Sequence, residues 1–391
     1  MGNSPIQAKK ILPVIIISQF FCTSLWFAGN GVMNDLVVSF NIQLSSLSYL
    51  TSAVQFGFIF GTLVFAFFMI ADRYSPSKVF LISAFLGAIM NIGMIWEENS
   101  ISTLLLFRFL TGFFLAGIYP VGMKIAADYY KKGLGKSLGL LVGALVLGTA
   151  LPHLLKELTT TFHWKYVLYS TSLLAILGGV LLYAQVPDGP HRKKSQRFQI
   201  NSISKVFKNK KLRKAAFGYF GHAWELYAFW AFVPILLKTY QETYSEVTFN
   251  IPLLSFFVIA VGFISCWISG LVSQKRDAKK VAFTALFLSC MCCLISPFIF
   301  FVASEVLFVA FLLFWGMVVI ADSPMFSTLV ANNAEAKIKG TALTIVNSIG
   351  FAITIVSIQL LSVLVESYDT TFVYAVLALG PIVGLVSLKK L

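Results

Sequence analysis

The stretch PDGPHRKKSQRFQINSISKVFKNKK, residues 187 to 211, is the longest polar interval in a chain that is otherwise mainly apolar. The chain has 391 residues, of which 58% are hydrophobic and 12% are charged. Soluble domains carry roughly 25% charged residues, so this composition indicates an integral membrane protein. The polar interval divides the apolar remainder into two halves of similar length.

Apolar runs on both sides of this interval predict twelve membrane-spanning helices, six before it and six after it. Each run is close to the roughly 20 apolar residues that a spanning helix needs, and Ala303, Ser304 and Glu305 offer a turn that divides residues 281–329 into two spans. Numbered in chain order, the predicted spans are 11–36, 47–70, 79–96, 101–122, 137–155, 165–186, 214–237, 250–273, 281–303, 304–329, 341–364 and 370–388.

The predicted fold is therefore an all-α integral membrane protein with two six-helix bundles. The domains are an N-terminal bundle over residues 1–186, a cytoplasmic basic linker over 187–213 and a C-terminal bundle over 214–391. Lys9 and Lys10 precede the first apolar run, but no cleavage site for a signal peptide is evident, so this run is kept as span 1.

The distribution of basic residues predicts the orientation. With both termini in the cytoplasm, 26 of the 30 Lys and Arg residues fall in cytoplasmic segments, ten of them from Arg192 to Lys214. This asymmetry fits the positive-inside rule, and the compact loops favour a bacterial inner membrane. The net charge of +14 is thus explained by topology and by contact with anionic lipid, which argues against a nucleic-acid partner.

The two halves show a weak internal repeat. RFLTGFFLAGIYP (108 to 120) in span 4 aligns with LLFWGMVVIADSP (312 to 324) in span 10, matching Gly112 with Gly316 and Pro120 with Pro324. IADRYSPSK (70 to 78) follows span 2 as VSQKRDAKK (272 to 280) follows span 8. Parallel halves of this kind are typical of transporters that work by alternating access.

These motifs make the chain resemble the major facilitator superfamily over its whole length. The superfamily's loop motif after the second span reads roughly G-x-L-A-D-R-x-G-R-K, with Phe68 and Ser75 here in place of its two glycines; the residues that match are Ile70, Ala71, Asp72, Arg73 and Lys78. Its span 4 motif, R-x-x-x-G followed by small residues, is matched by Arg108, Gly112, Ala116 and Gly117. Leu151 stands where the superfamily's antiporters carry a final glycine in span 5, so import and export both stay open.

The resemblance implies that the loop after span 2 acts as a conformational switch. Asp72 can pair there with basic groups or helix ends and hold one conformation. The predicted switch residues are Asp72, Arg73 and Lys78; the alternative is that they only orient the helices.

Three ionisable residues of the Asp, Glu, Lys and Arg types lie well inside predicted spans: Arg108 in span 4, Glu225 in span 7 and Asp322 in span 10. An ionised group is costly in hydrocarbon, so these side chains are expected to face the bundle interior or water, where they commonly mark a substrate or proton path. The resemblance assigns spans 1, 4, 7 and 10 to the walls of a central cavity.

The segment GHAWELYAFW, residues 221 to 230, places His222 and Glu225 three positions apart on one face of span 7, where they can interact. An acid near mid-membrane can exchange a proton during a transport cycle. We therefore predict His222, Glu225 and Asp322 as proton-coupling residues. The alternative is a structural pair that holds span 7 against a neighbour.

Aromatic and polar side chains on the same spans predict a substrate site. Large amphipathic rings offer contact surface, Arg108 can bind an anionic group, and span 1 contributes residues near a break expected at Gly29 to Gly31. The predicted substrate-binding residues are Trp26, Asn30, Arg108, Trp224, Tyr227 and Trp230.

The leading functional hypothesis is a proton-coupled secondary transporter of a small organic solute, with efflux of drugs or metabolites as the alternative within the superfamily. A non-transporting membrane sensor is the alternative outside it. The chain is expected to act as a monomer without a cofactor or metal, and not as an enzyme, since it has no H-E-x-x-H, G-x-S-x-G or phosphate-loop motif.

Overall fold

A computed structural model describes residues 5–43, 46–130, 134–159, 163–192, 207–335, 338–368 and 371–391, and these residues are helical with no strand among them. The chain divides into two compact units, Met1–Ile200 and Asn201–Leu391. The boundary between them falls within the predicted linker 187–213. The middle of that linker, residues 193–206, lies outside the described residues.

Unit 1 contains predicted spans 1 to 6. Span 1 consists of several helical pieces, and span 4 of two, whereas the others are single helices with a short turn after span 2. The helices are Pro5–Thr23, Ala28–Gly31, Met33–Phe40, Ser46–Phe67, Ile70–Arg73, Pro76–Gly93, Ile101–Leu115, Tyr119–Tyr129, Leu134–Leu158 and Lys165–Gln185.

Unit 2 contains predicted spans 7 to 12. Spans 8, 10 and 12 are interrupted, span 12 by beginning as a 3-10 helix. The helices are Lys210–Thr243, Ile251–Ala260, Gly262–Val272, Ala278–Ile299, Glu305–Val318, Ser323–Asn333, Lys339–Ser367, Thr371–Ala378 and Leu379–Lys389.

The observed helices confirm the predicted membrane architecture. In the described part of the chain, eleven helical segments are long and apolar enough to cross a membrane, and Ile11–Thr23 forms a shorter apolar helix at span 1. The block 281–329 is divided as predicted, because one helix ends at Ile299 and the next begins at Glu305. Many side chains on the outside of the helices are large and apolar, for example Phe56, Leu106 and Val386, as contact with lipid requires.

Span 1 is broken at two places, one at residues 24–27, before the predicted position, and one at Val32, directly after Gly31. The sequence places the break at Gly29 to Gly31, but the long helix ends at Thr23, residues 24–27 form a turn, and both glycines lie in the short helix Ala28–Gly31. The turn at 24–27 leaves backbone carbonyls outside the regular helical ladder, and these become acceptors for a side chain of span 4. Glycine allows close approach there: a Cβ on Gly31 would lie 2.9 Å from Cβ of Pro152.

The internal repeat is present in the packing as well as in the sequence. Span 4 is interrupted at residues 116–118 and span 10 at 319–322, and each helix resumes with a proline at its second position, Pro120 or Pro324. A Cβ on Gly112 would collide with the carbonyl oxygen of Val54, and a Cβ on Gly316 with that of Val258. Three residue pairs share one separation of 204 positions: Val54 with Val258, Gly112 with Gly316, and Pro120 with Pro324. Both halves therefore bring an even-numbered pair of spans, 2 and 4 or 8 and 10, into backbone contact at an equivalent glycine.

Candidate functional site

In unit 2, the predicted proton-coupling residue His222 is paired with Asp322. Nδ1 of His222 lies 2.7 Å from Oδ1 of Asp322, and both side chains are removed from solvent. His222 belongs to the long helix of span 7, whereas Asp322 occupies the interruption of span 10, immediately before helix Ser323–Asn333. The break thus brings an acid into the helix bundle, at the partly positive N-terminus of the helix that follows.

The second oxygen of Asp322 is buried and has no hydrogen-bond partner among the described residues. A buried carboxylate oxygen without a donor is uncommon and costly. The pair therefore leaves one buried acceptor unsatisfied in the described part of the chain.

Glu225 has a different environment from the one that the i, i+3 spacing suggests. Its Oε1 accepts hydrogen bonds from Nε1 of Trp315, at 2.6 Å, and from the hydroxyl of Ser289. Trp315 lies in span 10 and Ser289 in span 9, so Glu225 joins three helices. The ring of Trp315 also stacks on Phe229, with centroids 4.3 Å apart. His222 and Glu225 share a helix face, but they contact different neighbours.

The three aromatic residues predicted on span 7 have different neighbours. Nε1 of Trp224 donates to the carbonyl of Val376 in span 12, at 3.2 Å. Tyr227 instead packs against Trp230 and against Phe351 in span 11, each with centroids 5.4 Å apart. Trp230 is fully buried. Tyr227 and Trp230 thus lie together, whereas Trp224 faces span 12.

Arg108 in unit 1 binds the broken segment of span 1. Its Nη1 donates to the carbonyl of Leu25 at 3.1 Å, and its Nη2 donates to the carbonyl of Trp26. The side chain is completely buried, and its Nε has no partner in the described part of the chain. Gly29 lies beside it, because a Cβ at that position would be 3.4 Å from Nε.

The other two predicted residues of unit 1 lie at the same break. Trp26 contacts the ring of Phe58 in span 2, with centroids 4.8 Å apart, and Nδ2 of Asn30 donates to Oγ1 of Thr51, at 2.8 Å. Trp26, Asn30 and Arg108 therefore converge where spans 1, 2 and 4 meet. Two donors of Arg108 bind backbone carbonyls, and sequence patterns do not predict these two hydrogen bonds.

The switch loop after span 2 is held by an ion pair and by the start of the linker. Oδ1 of Asp72 lies 2.8 Å from Nζ of Lys124, at the end of span 4, and Lys124 also lies 3.8 Å from Asp128. Arg192 donates to the carbonyls of Asp72 and Tyr74 at 3.0 and 2.7 Å.

Of the three predicted switch residues, Asp72 makes these contacts. Arg73 and Lys78 are exposed, and no ion pair joins either of them to another described residue.

Sequence reasoning missed four partners of the predicted residues, namely Lys124, Arg192, Ser289 and Trp315, and one further buried polar residue, Gln55. Ser289 and Trp315 each lie in a mainly apolar stretch of sequence. Neither can be recognised as a hydrogen-bond donor until its contact with Glu225 is known. Gln55 is an amide inside the apolar run AVQFGF (53 to 58). The sequence could have indicated this residue, because an amide buried in a membrane span requires a hydrogen-bond partner.

Comparison with protein families matches residues 15–358 to the Major Facilitator Superfamily. Three curated relatives match over about half of this chain, and the chain likewise spans less than half the length of each. It is 26% identical over 196 residues to the 4-hydroxybenzoate transporter PcaK of Pseudomonas aeruginosa, covering 47% of this chain and 41% of the relative. It is 25% identical over 193 residues to the putative niacin/nicotinamide transporter NiaP of Bacillus subtilis, covering 49% and 47%. It is 21% identical over 187 residues to a bicyclomycin resistance protein homolog of Haemophilus influenzae, covering 47% and 46%.

Two solved structures share the fold at low identity. The proton:xylose symporter XylE superposes with a TM-score of 0.71 at 14% identity, covering 99% of this chain and 96% of that chain. A bacterial homolog of the human lysosomal transporter Spinster, in an inward-facing and unoccupied conformation, gives 0.69 at 14% identity, covering 100% and 94%.

Proposed function

Since the chain belongs to the Major Facilitator Superfamily, we propose that it is a membrane transporter that moves a small organic solute by alternating access and couples this movement to protons. The family match that shows this membership covers residues 15–358. The coupling ion and the solute are proposals that rest on the buried groups of the two units.

The buried His222–Asp322 pair is the observation that carries proton coupling. An imidazolium and a carboxylate together have no net charge, and binding or release of one proton changes the charge of the pair by one. Because a net charge is costly in hydrocarbon, each proton state favours conformations that differ in how well water reaches the pair. Proton binding can thereby bias the equilibrium between two transporter conformations.

Glu225 is the second acid in the proposed proton path. Its carboxyl group accepts hydrogen bonds from Ser289 and Trp315. Glu225 and Asp322 lie in the same unit, and a proton can be assigned to one or the other by separate neutral substitutions.

The proposed solute contacts are the six aromatic, amide and guanidinium residues predicted from the sequence. In unit 1 three of them, Trp26, Asn30 and Arg108, meet at the break of span 1. In unit 2 Tyr227 and Trp230 form a buried aromatic pair. Two relatives carry names of transporters of 4-hydroxybenzoate and of niacin or nicotinamide, which are small ring compounds, and this supports an aromatic organic solute.

Efflux of a drug or metabolite is the second candidate. It is favoured by the similarity to a bicyclomycin resistance protein homolog. Import and export use the same alternating-access cycle, so the direction is decided by the sign of coupling between solute and proton movement. We further propose a bacterial inner membrane location, cytoplasmic termini and a monomer.

The topology can be tested with single cysteines at two exposed positions, Glu98 and Lys275. In a background from which the native cysteines have been removed, a membrane-impermeant maleimide should label Glu98→Cys in intact cells. Lys275→Cys should react only after the cells are broken. Labelling of Lys275→Cys in intact cells would reverse the proposed orientation.

The function is tested in proteoliposomes that contain a pH-sensitive dye. Solutes from a panel of ring compounds are added on one side, and a transported solute should shift the internal pH in protein-containing vesicles but not in empty ones. Alkalinisation of the interior on inward solute movement indicates antiport, and acidification indicates symport. Uptake of radiolabelled solute that is unaffected by the pH gradient and by a protonophore would refute proton coupling.

A further inference from the structure

We infer that the break in span 1 of unit 1 is a binding subsite for the carboxylate group of a small organic acid, formed by Arg108 and Gln55. Gln55 is not among the residues proposed above to contact the solute or to carry the proton. The inference rests on the proposed transport of an organic solute, and it deepens that proposal by naming the chemical class of the solute.

The first argument is the charge of Arg108. A guanidinium stays protonated in proteins, and this one is fully buried. Its two bonded partners are the carbonyls of Leu25 and Trp26, which carry partial charges but no net charge. No acidic side chain pairs with Arg108 in the described parts of the chain. Buried charges are normally paired, so this cation lacks a counter-charge that a bound anion would supply.

The second argument is the free donor on the same guanidinium. Nε of Arg108 has no hydrogen-bond partner among the described residues. Gly29 packs against this donor without a side chain of its own, since a Cβ there would lie 3.4 Å from Nε and 3.3 Å from Cε of Met94. A Cβ at Gly29 would therefore lie close to the place where an acceptor for Nε–H of Arg108 would bind.

The third argument is the orientation of Gln55. Thr51, Gln55 and Phe58 share one face of span 2, because they are spaced by four and three positions. Thr51 accepts a hydrogen bond from Asn30, and Phe58 contacts the ring of Trp26. Gln55 lies between these two contacts on the helix and therefore faces the same short stretch of span 1.

The amide of Gln55 is itself unpartnered. It is fully buried, and neither its nitrogen nor its oxygen has a hydrogen bond within the described residues. Two buried polar groups without partners, one of them on a cation, thus point toward one segment of span 1. Such groups are expected to find a partner in a ligand or in ordered water.

A carboxylate matches this pair of donors. One of its oxygens can accept from Nε–H of Arg108 and the other from the amide nitrogen of Gln55, and its negative charge balances the guanidinium. A carboxamide has the same shape but has one acceptor oxygen and no charge. The rings of Trp26 and Phe58 beside the break provide surface for a flat apolar body.

The subsite is tested by calorimetric titration of the purified full-length protein in detergent. The ligands are benzoate, nicotinate and propionate, each compared with its carboxamide. At least one acid should bind ten-fold or more tightly than its amide. No preference for the acid in any of the three pairs would overturn the inference, as would equal competition by inorganic phosphate, which would indicate a general anion site.

Gln55→Leu should weaken binding of the acid at least ten-fold, and Gly29→Ala should weaken it by filling the space beside Nε. The matched control is Gln19→Leu, because Gln19 is another fully buried glutamine of unit 1 with an unpartnered amide, about two helical turns before the break. Gln19→Leu should leave the affinity unchanged. Equal effects of Gln55→Leu and Gln19→Leu, or no effect of Gln55→Leu, would contradict the assignment.

Thermal unfolding of each variant, followed by the intrinsic fluorescence of the protein, shows whether a lost affinity reflects lost folding. Arg108→Lys should weaken binding of the acid if it folds, because lysine keeps the positive charge but lacks the donor that Nε supplies. If Arg108→Lys does not fold, Gln55→Leu carries the test. Binding in detergent needs no gradient. Acid binding without solute-dependent proton movement would therefore refute the proposed coupling alone, and proton movement with amides preferred would refute the carboxylate subsite alone.

Discussion

Nδ1 of His222 lies 2.7 Å from Oδ1 of Asp322, although 100 positions separate the two residues in the chain. The contact joins the uninterrupted helix of span 7 to the interruption of span 10. A movement that separates the two spans at this point lengthens or breaks this contact. Protonation of the pair is thus connected to the packing of two helices in unit 2.

Asp322→Asn is expected to abolish solute accumulation driven by a pH gradient while leaving solute exchange intact. Asparagine keeps the size of aspartate and one acceptor oxygen but cannot bind and release a proton. The measurement compares gradient-driven uptake with counterflow of labelled solute in proteoliposomes. Glu225→Gln serves as the parallel variant, and if it alone loses accumulation, the proton belongs to Glu225 rather than to the pair.

Trp315→Phe is expected to reduce the free energy of unfolding by about 1–3 kcal/mol, because the buried carboxylate of Glu225 loses a hydrogen-bond donor. Unfolding is followed by titration with SDS in mixed micelles. In a Glu225→Leu background the same substitution should cost clearly less, since no acceptor is then left without its donor. An equal cost in both backgrounds would show that the tryptophan contributes by packing against Phe229 and not by its hydrogen bond.

Gly112→Ala and Gly316→Ala are each expected to destabilise the protein by about 1–3 kcal/mol, since an added methyl group must displace the backbone of a neighbouring span. The colliding atoms are the carbonyl oxygens of Val54 and Val258. Gly340→Ala is the matched control, because a Cβ at Gly340 meets no atom within 4 Å. It should be neutral or stabilising by up to about 1 kcal/mol. Equal effects at all three glycines would argue against the close approach of the spans.

The ion pair between Asp72 and Lys124 is expected to contribute about 0.2–1 kcal/mol, as partly exposed pairs do. Their side chains are 20% and 24% exposed. Asp72→Asn, Lys124→Gln and the double variant form a cycle whose coupling energy measures the pair. Arg73→Gln, at an exposed position, should change stability by less than about 0.5 kcal/mol. A coupling energy near zero, together with unchanged transport in all three variants, would remove Asp72 from the proposed switch.

The amino-acid sequence by itself determined the membrane class, the number of spans and the repeat between the halves. Hydropathy depends on the composition of a local window, so spans of about 20 residues are readable without knowledge of their neighbours. The sequence also identified Gly112 and Gly316 as equivalent positions of the two halves. This was possible because equivalent helices meet at equivalent residues in both halves. Burial of Arg108, Glu225 and Asp322 followed from the cost of exposing a charge to lipid.

Only the tertiary structure decided which groups these residues contact. Periodicity places His222 and Glu225 on one face, but the side chains bond across helices, to Asp322 in one case and to Ser289 and Trp315 in the other. Arg108 likewise binds backbone carbonyls of residues 25 and 26, whereas the glycines had placed the break at 29 to 31. Sequence spacing specifies neighbours within a helix, while the partner of a buried charge depends on helix packing and on where a helix stops.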